Sequence, residues 1–142
     1  MKDNTINLLS VFIFPTALLM SIIFRNQFDG SILFLSLGCF IIVAGSVLWV
    51  KGILTLGRNF TPSLSPKGFE TKGIYSIMRH PMYIGGFLFY LGMNLLTQSI
   101  IGMILSFLLV APLLIYSALE EEKQMIAKYG NKYLEYKRNT RL

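Results

Sequence analysis

Residues 82–119 read MYIGGFLFYLGMNLLTQSIIGMILSFLLVAPLLIYSAL, and none of these 38 positions carries a formal charge. A single helix of that length would run to about 57 Å, nearly twice the hydrocarbon thickness of a bilayer. The stretch therefore predicts two membrane spans. Its polar run Asn94, Thr97, Gln98 and Ser99 places the reversal, giving spans at 82–96 and 100–119. Pro112, inside the second of these, predicts a bend.

Two more apolar blocks precede this stretch, at 6–24 and 32–50, each long enough to cross a bilayer as a helix. The short connection 25–31 predicts that they form an antiparallel hairpin. Pro15 predicts a kink in the first block, and Gly38 and Gly45, seven residues apart, predict a close-packing face on the second. No small-residue cleavage site follows the first block, so it reads as a retained span rather than a removed leader. The expectation is an all-α integral membrane protein: one domain over residues 1–142 with four transmembrane helices.

Composition agrees. Only 14% of residues are charged, against about 25% in an ordinary soluble domain. Four spans put both termini, the loop 51–81 and the tail 120–142 on one side, together with twelve of the thirteen Lys and Arg residues; Arg25 alone lies opposite. That asymmetry predicts a cell-membrane protein with its termini, loop and tail in the cytoplasm. It also accounts for the net charge of +6 without nucleic acid, for which no basic-aromatic motif is present. The single cysteine, Cys39, excludes an intrachain disulfide and a zinc site, and reads as a small packing residue.

Neither cytoplasmic piece reads as a bare connector. The loop is broken by Gly52, Gly57, Pro62, Pro66, Gly68 and Gly73, but its apolar Phe60, Leu64, Phe69, Ile74 and Tyr75 predict a structured segment. The tail predicts a helix continuing out of the fourth span, divided at Gly130.

The chemistry-bearing residues fall at the inner ends of the last two spans. Pro81 is suited to the first position of a helix, where its missing N–H costs nothing. Arg79 and the only histidine, His80, then sit at a positive helix start, an arrangement that attracts anions. Glu120, Glu121 and Glu122 leave the membrane at the same face. Taken singly, Arg79 reads as an interfacial anchor, Tyr75 and Tyr83 as belt aromatics, Gly85 and Gly86 as helix packing, and the glutamates as a solvated face. Brought together, the two clusters suit a ligand carrying both a carboxylate and a cationic centre.

The run Gly73-Ile74-Tyr75, then Arg79-His80-Pro81-Met82-Tyr83-Ile84-Gly85, followed by Glu121-Glu122-x-x-Met125-x-x-x-Tyr129-Gly130-x-x-Tyr133-x-x-Tyr136, resembles the signature of the isoprenylcysteine carboxyl methyltransferase and phospholipid methyltransferase families. The resemblance covers about 50–138. It implies methyl transfer from S-adenosylmethionine, held without a Rossmann fold, to a lipophilic or membrane-embedded acceptor. It also implies that Lys72, Gly73, Ile74, Tyr75, His80, Pro81, Tyr83, Gly85, Glu121 and Glu122 line the cofactor, with His80, Glu121, Glu122 and Arg79 as the residues nearest the chemistry. A carboxylate acceptor needs no general base; an amine does, with His80 or a glutamate as candidates. Lipid, isoprenoid acid, amine and thiol all remain open as acceptors, and oligomeric state is not legible. The alternatives are a small NADPH-dependent membrane reductase of the steroid-reductase type and a non-enzymatic four-helix transporter or structural subunit. A transporter of that kind needs a carboxylate within its spans, and there is none before residue 120.

Overall fold

A computed structural model describes residues 2–57 and 69–140, and every regular element among them is helical. Helix α1 spans Lys2–Ile23 and α2 spans Ile32–Leu56. A short 3₁₀ turn at Gly73–Ser76 leads to α3, Pro81–Thr97. Helix α4 runs Ile100–Tyr129, and α5 runs Asn131–Asn139. The centre of the loop, with Arg58, Phe60, Pro62, Leu64, Pro66, Lys67 and Gly68, lies outside the described residues, as does Arg141.

The tightest packing is between α2 and α3, which run antiparallel with their glycines facing. A Cβ on Gly45 would lie 2.6 Å from the Gly85 carbonyl oxygen, and one on Gly92 would lie 2.8 Å from that of Gly38. No side chain fits there, so the two backbones touch and gain dispersion contacts along their length. The expected face of Gly38 and Gly45 is longer than the sequence reading allowed. Helix α2 continues through residue 56, so Gly52, counted as a loop breaker, becomes the third glycine of the row, against Met82. Cys39 departs from expectation as well: it is exposed rather than packed.

The expected hairpin of the first two helices is not the observed pairing. Helix α1 packs on α4 and α3, whereas α2 packs on α3. The reason lies in the connectors. Asn26 N–H donates to the Thr97 carbonyl and Gln27 N–H to that of Gln98, both at 2.9 Å, while the Gln27 side chain accepts from Ile101 N–H. These bonds draw the end of α1 to the α3–α4 reversal. Behind them Ser21 and Thr97 share a hydroxyl bond of 2.7 Å, and buried Asn94 donates to Ser106 at 2.7 Å. Each polar side chain here has a partner, as a water-poor interior requires.

Pro15 lies within a continuous α1. Pro112 has a visible consequence one turn upstream: residues Ser106–Val110 form a π-turn, with Ala111 N–H reaching back to Ser106 O. Proline removes a donor and clashes with the carbonyl four residues earlier, and a wider turn relieves both problems.

Two helices, Ile32–Leu56 and Ile100–Tyr129, are long and apolar enough to cross a membrane. The apolar window of the first is only 11% buried inside the protein, so it is not the core of a soluble bundle. Phe40, Val43, Phe107 and Leu108 all face outward.

Candidate active site

Three segments meet where α3 begins. His80 is the N-cap of α3 and Pro81 its first residue, fully buried. Helix α4 continues beyond residue 119 and carries Glu121 and Glu122 past that point. The chain then turns at Gly130, whose φ of 54° and ψ of −129° are accessible to glycine and strained for other residues. The turn lays α5 back over the same place.

Glu122 is the centre of the cluster and is 5% exposed. Its Oε1 accepts from Arg79 Nε at 2.7 Å and lies 3.2 Å from His80 Nε2; its Oε2 accepts from Lys137 Nζ at 2.5 Å. Burial alone would raise the Glu122 pKa, but the bonds from Lys137, Arg79 and His80 outweigh it and hold the carboxyl down at about 2. Burial also lowers the His80 pKa, against the pull of Glu122. A neutral imidazole donating from Nε2 to ionised Glu122 leaves Nδ1 as an acceptor, and Nδ1 lies 3.8 Å from Glu121 Oε2.

Glu121 has the opposite setting. Burial raises its pKa, a hydrogen bond from Tyr83 opposes the rise, and the charge on Glu122 adds to it. The Tyr83 ring stacks on His80 with centroids 5.6 Å apart. The second tyrosine here, Tyr75, is 6% exposed, and its hydroxyl is the one buried side-chain polar atom among the described residues that lacks a hydrogen-bond partner.

The residues singled out in the sequence thus separate. Arg79, His80, Glu121, Glu122, Tyr75 and Tyr83 come together. Lys72, which precedes the 3₁₀ turn, and Gly73, which opens it beside Ile74, are exposed, and Gly85 faces Gly45 and Trp49 rather than this cluster. Arg79 is also used differently from an anion receiver: besides Glu122, its Nη1 donates to the carbonyls of Thr140 at 2.8 Å and Lys137 at 3.3 Å. Lys137 and Thr140 were missed by sequence reasoning. Their signal was present, since Tyr133, Tyr136, Lys137 and Thr140 recur at i, i+3, i+4 and i+7, one face of a helix. That face docks on Phe69, whose ring lies 5.3 Å from Tyr133 and 5.7 Å from Tyr136, while the Tyr136 hydroxyl donates to Tyr75 O at 2.7 Å.

Comparison with known proteins gives this geometry a family. The chain is similar to protein-S-isoprenylcysteine O-methyltransferase B of Arabidopsis thaliana, 30% identical over 104 residues that make up 70% of this chain and 53% of that one. It is 30% identical over 108 residues to protein-S-isoprenylcysteine O-methyltransferase of Xenopus laevis, covering 72% of this chain and 37% of that one. It is 35% identical over 75 residues to methanethiol S-methyltransferase of Crocosphaera subtropica, covering 52% and 28%. The matches thus span about half or less of these relatives' length. No solved structure matches the chain. The phospholipid methyltransferase family model matches residues 33–132, which hold the start of α3 and the glutamates of α4 alike; the chain belongs to the phospholipid methyltransferase family.

Proposed function

We propose that this protein transfers a methyl group from S-adenosylmethionine to a lipophilic acceptor at the cytoplasmic face of a cell membrane. The observation that carries the reading is the meeting of residues 79–80 with residues 121–122, across a helical hairpin, in one buried cluster. A zwitterionic sulfonium fits what is there. The cationic centre is attracted to a carboxylate and to aromatic faces, which Glu121, Tyr83 and Tyr75 supply. The amino-acid carboxylate suits the unpaired N–H groups in the first turn of α3. The unpartnered Tyr75 hydroxyl is a donor in need of an acceptor. When bound, the sulfonium supplies an activated methyl group; the protein aligns the reacting atoms and excludes water.

In this reading residues 1–142 form one membrane domain. Helices α1 and α3 cross the bilayer beside α2 and the first two-thirds of α4, and the acceptor enters sideways from the lipid. The outward Phe40, Val43, Phe107 and Leu108 support that placement, and so does the crowding of Lys and Arg at the site's end of the bundle.

Equilibrium binding of labelled S-adenosylmethionine to detergent-solubilised protein tests the proposal, with NADPH titrated alongside. Saturable binding, lost in His80→Ala protein that still unfolds cooperatively, is the expected result. Binding of NADPH in its place overturns the reading.

A further inference from the structure

We infer that Lys137, on α5, is a positioning residue: by holding the second oxygen of Glu122 it keeps the His80 imidazole uncharged beside the donor. The inference rests on the methyltransferase reading and makes the tail a working part of that site.

A carboxylate in contact with an imidazole ordinarily draws a proton onto it. Glu122 is placed to do so, with Oε1 3.2 Å from His80 Nε2. The same oxygen, however, accepts from Arg79 Nε at 2.7 Å, and Oε2 accepts from Lys137 Nζ at 2.5 Å. One negative charge is shared by two fixed cations, so a third cation on the ring would meet net repulsion. Burial lowers the His80 pKa, Glu122 raises it through bond and charge, and Arg79 and Lys137 lower it again. Without Lys137 the remaining Arg79–Glu122 pair is neutral, and the proton becomes easier to add. Arg79 also anchors the backbone that delivers the lysine: its Nη1 donates to the Lys137 carbonyl at 3.3 Å and to that of Thr140 at 2.8 Å. The ammonium therefore reaches Glu122 when α5 is docked.

The other groups facing the ring are Tyr83 from α3, stacked at 5.6 Å, and Glu121 from α4, 3.8 Å from Nδ1. Tyr75 from the 3₁₀ turn faces Glu121, and Tyr133 from α5 faces both glutamates. Tyrosines are uncharged near neutrality, so the imidazole and the carboxylates set the charge of the site. A proton on Nδ1 would turn to Glu121 and occupy the carboxylate that attracts the sulfonium. It would also put like charge beside the donor. The Lys137 side chain is 39% exposed, so its charge can be removed without opening a cavity in the core.

The chain has a single histidine, so NMR titration of histidine-labelled protein in detergent reads this imidazole directly. S-adenosylmethionine binding is measured over the same pH range. Wild type is expected to titrate below the ordinary value of 6.5. Lys137→Gln, which keeps a hydrogen-bond donor for Glu122 and removes the charge, should raise the midpoint by about one unit. Its donor affinity should match wild type within about twofold at high pH and fall behind as pH drops, towards about tenfold below both midpoints. Lys137→Arg, which keeps the charge, should retain the wild-type midpoint. An unchanged midpoint in Lys137→Gln overturns the inference. So does affinity lost equally at every pH, which would make Lys137 a structural tie alone. Should Lys137→Gln not fold, the wild-type titration still decides, because a midpoint above 6.5 refutes an uncharged ring. Wild type that binds no donor at any pH overturns the functional reading itself, while the midpoints still show whether Lys137 sets the charge on His80.

Discussion

Arg79 and Glu122, 43 positions apart in the chain, lie 2.7 Å apart in the folded protein with side chains 16% and 7% exposed. The same guanidinium holds the carbonyls of Lys137 in α5 and Thr140 just past it, so one side chain ties together the start of α3, the last third of α4 and the tail. Lysine cannot reproduce that fork, because its ammonium has no planar pair of donors. Arg79→Lys is therefore expected to lower stability by roughly 3 kcal/mol, in the range for breaking a buried pair. Thermal unfolding in detergent checks it, and an unfolding midpoint equal to that of wild type contradicts the tie.

Acid should expose the Glu122 contribution. Its carboxyl is held at about 2 in the folded protein against an ordinary value of 4.5, so the unfolded chain takes up the proton first as pH falls. The stabilisation is complete above about pH 4.5 and disappears as pH drops through 2, amounting to roughly 3 kcal/mol. Glu121 contributes in the reverse direction: its raised pKa favours folding at low pH, and that share is lost as pH rises through its folded value. Stability measured from pH 2 to 6 should slope upward in wild type and lose most of that slope in Glu122→Gln.

The glycine row on α2 and α3 separates two adjacent positions. A Cβ on Gly85 would lie 2.5 Å from the Gly45 carbonyl oxygen and 2.8 Å from Trp49 N, whereas one on Gly86 meets nothing within 4 Å. Gly85→Ala forces two backbones apart and should cost on the order of 2 kcal/mol. Gly86→Ala should be neutral or stabilise by up to about 1 kcal/mol, the helix-propensity difference. Equal unfolding midpoints for the two variants would contradict this packing.

Tail docking has its own signature. Removing the Tyr136 hydroxyl deletes the bond to Tyr75 O and leaves the ring against Phe69. Tyr136→Phe should cost about 1 kcal/mol and speed proteolysis within α5 while leaving the membrane helices intact. Limited digestion followed by mass spectrometry reads this out. Unchanged cleavage would show that α5 is held by other contacts.

The proposed four-span arrangement predicts labelling by side. In a Cys39→Ser background, cysteine placed at Gln27 should react with an impermeant maleimide in intact cells, and cysteine at Arg138 only after permeabilisation. Reaction of both from the same side contradicts four spans.

How much of this was legible beforehand depended on whether the determinant was local. Charge-free length called for a division of 82–119 and the polar run Asn94, Thr97, Gln98 and Ser99 placed it, and the helices found, Pro81–Thr97 and Ile100–Tyr129, divide there. Pro81 determined the start of α3 and Gly130 the break before α5, since each acts through its own backbone. The candidate residues at 79–80 and 121–122 were likewise readable, because their side-chain chemistry and their places at helix ends are properties of the chain itself.

Partner choice was not readable. Only the folded bundle decided that α1 lies against α4 and α3 instead of α2, because that outcome depends on hydrogen bonds between two connectors distant in sequence. Only the fold gave Gly85 to Gly45, and the Arg79 guanidinium to Glu122 and the end of α5. The two glutamates are identical in the sequence. Burial and neighbouring charge, which exist once the chain has closed on itself, make one a locked anion and leave the other partly exposed with its pKa raised.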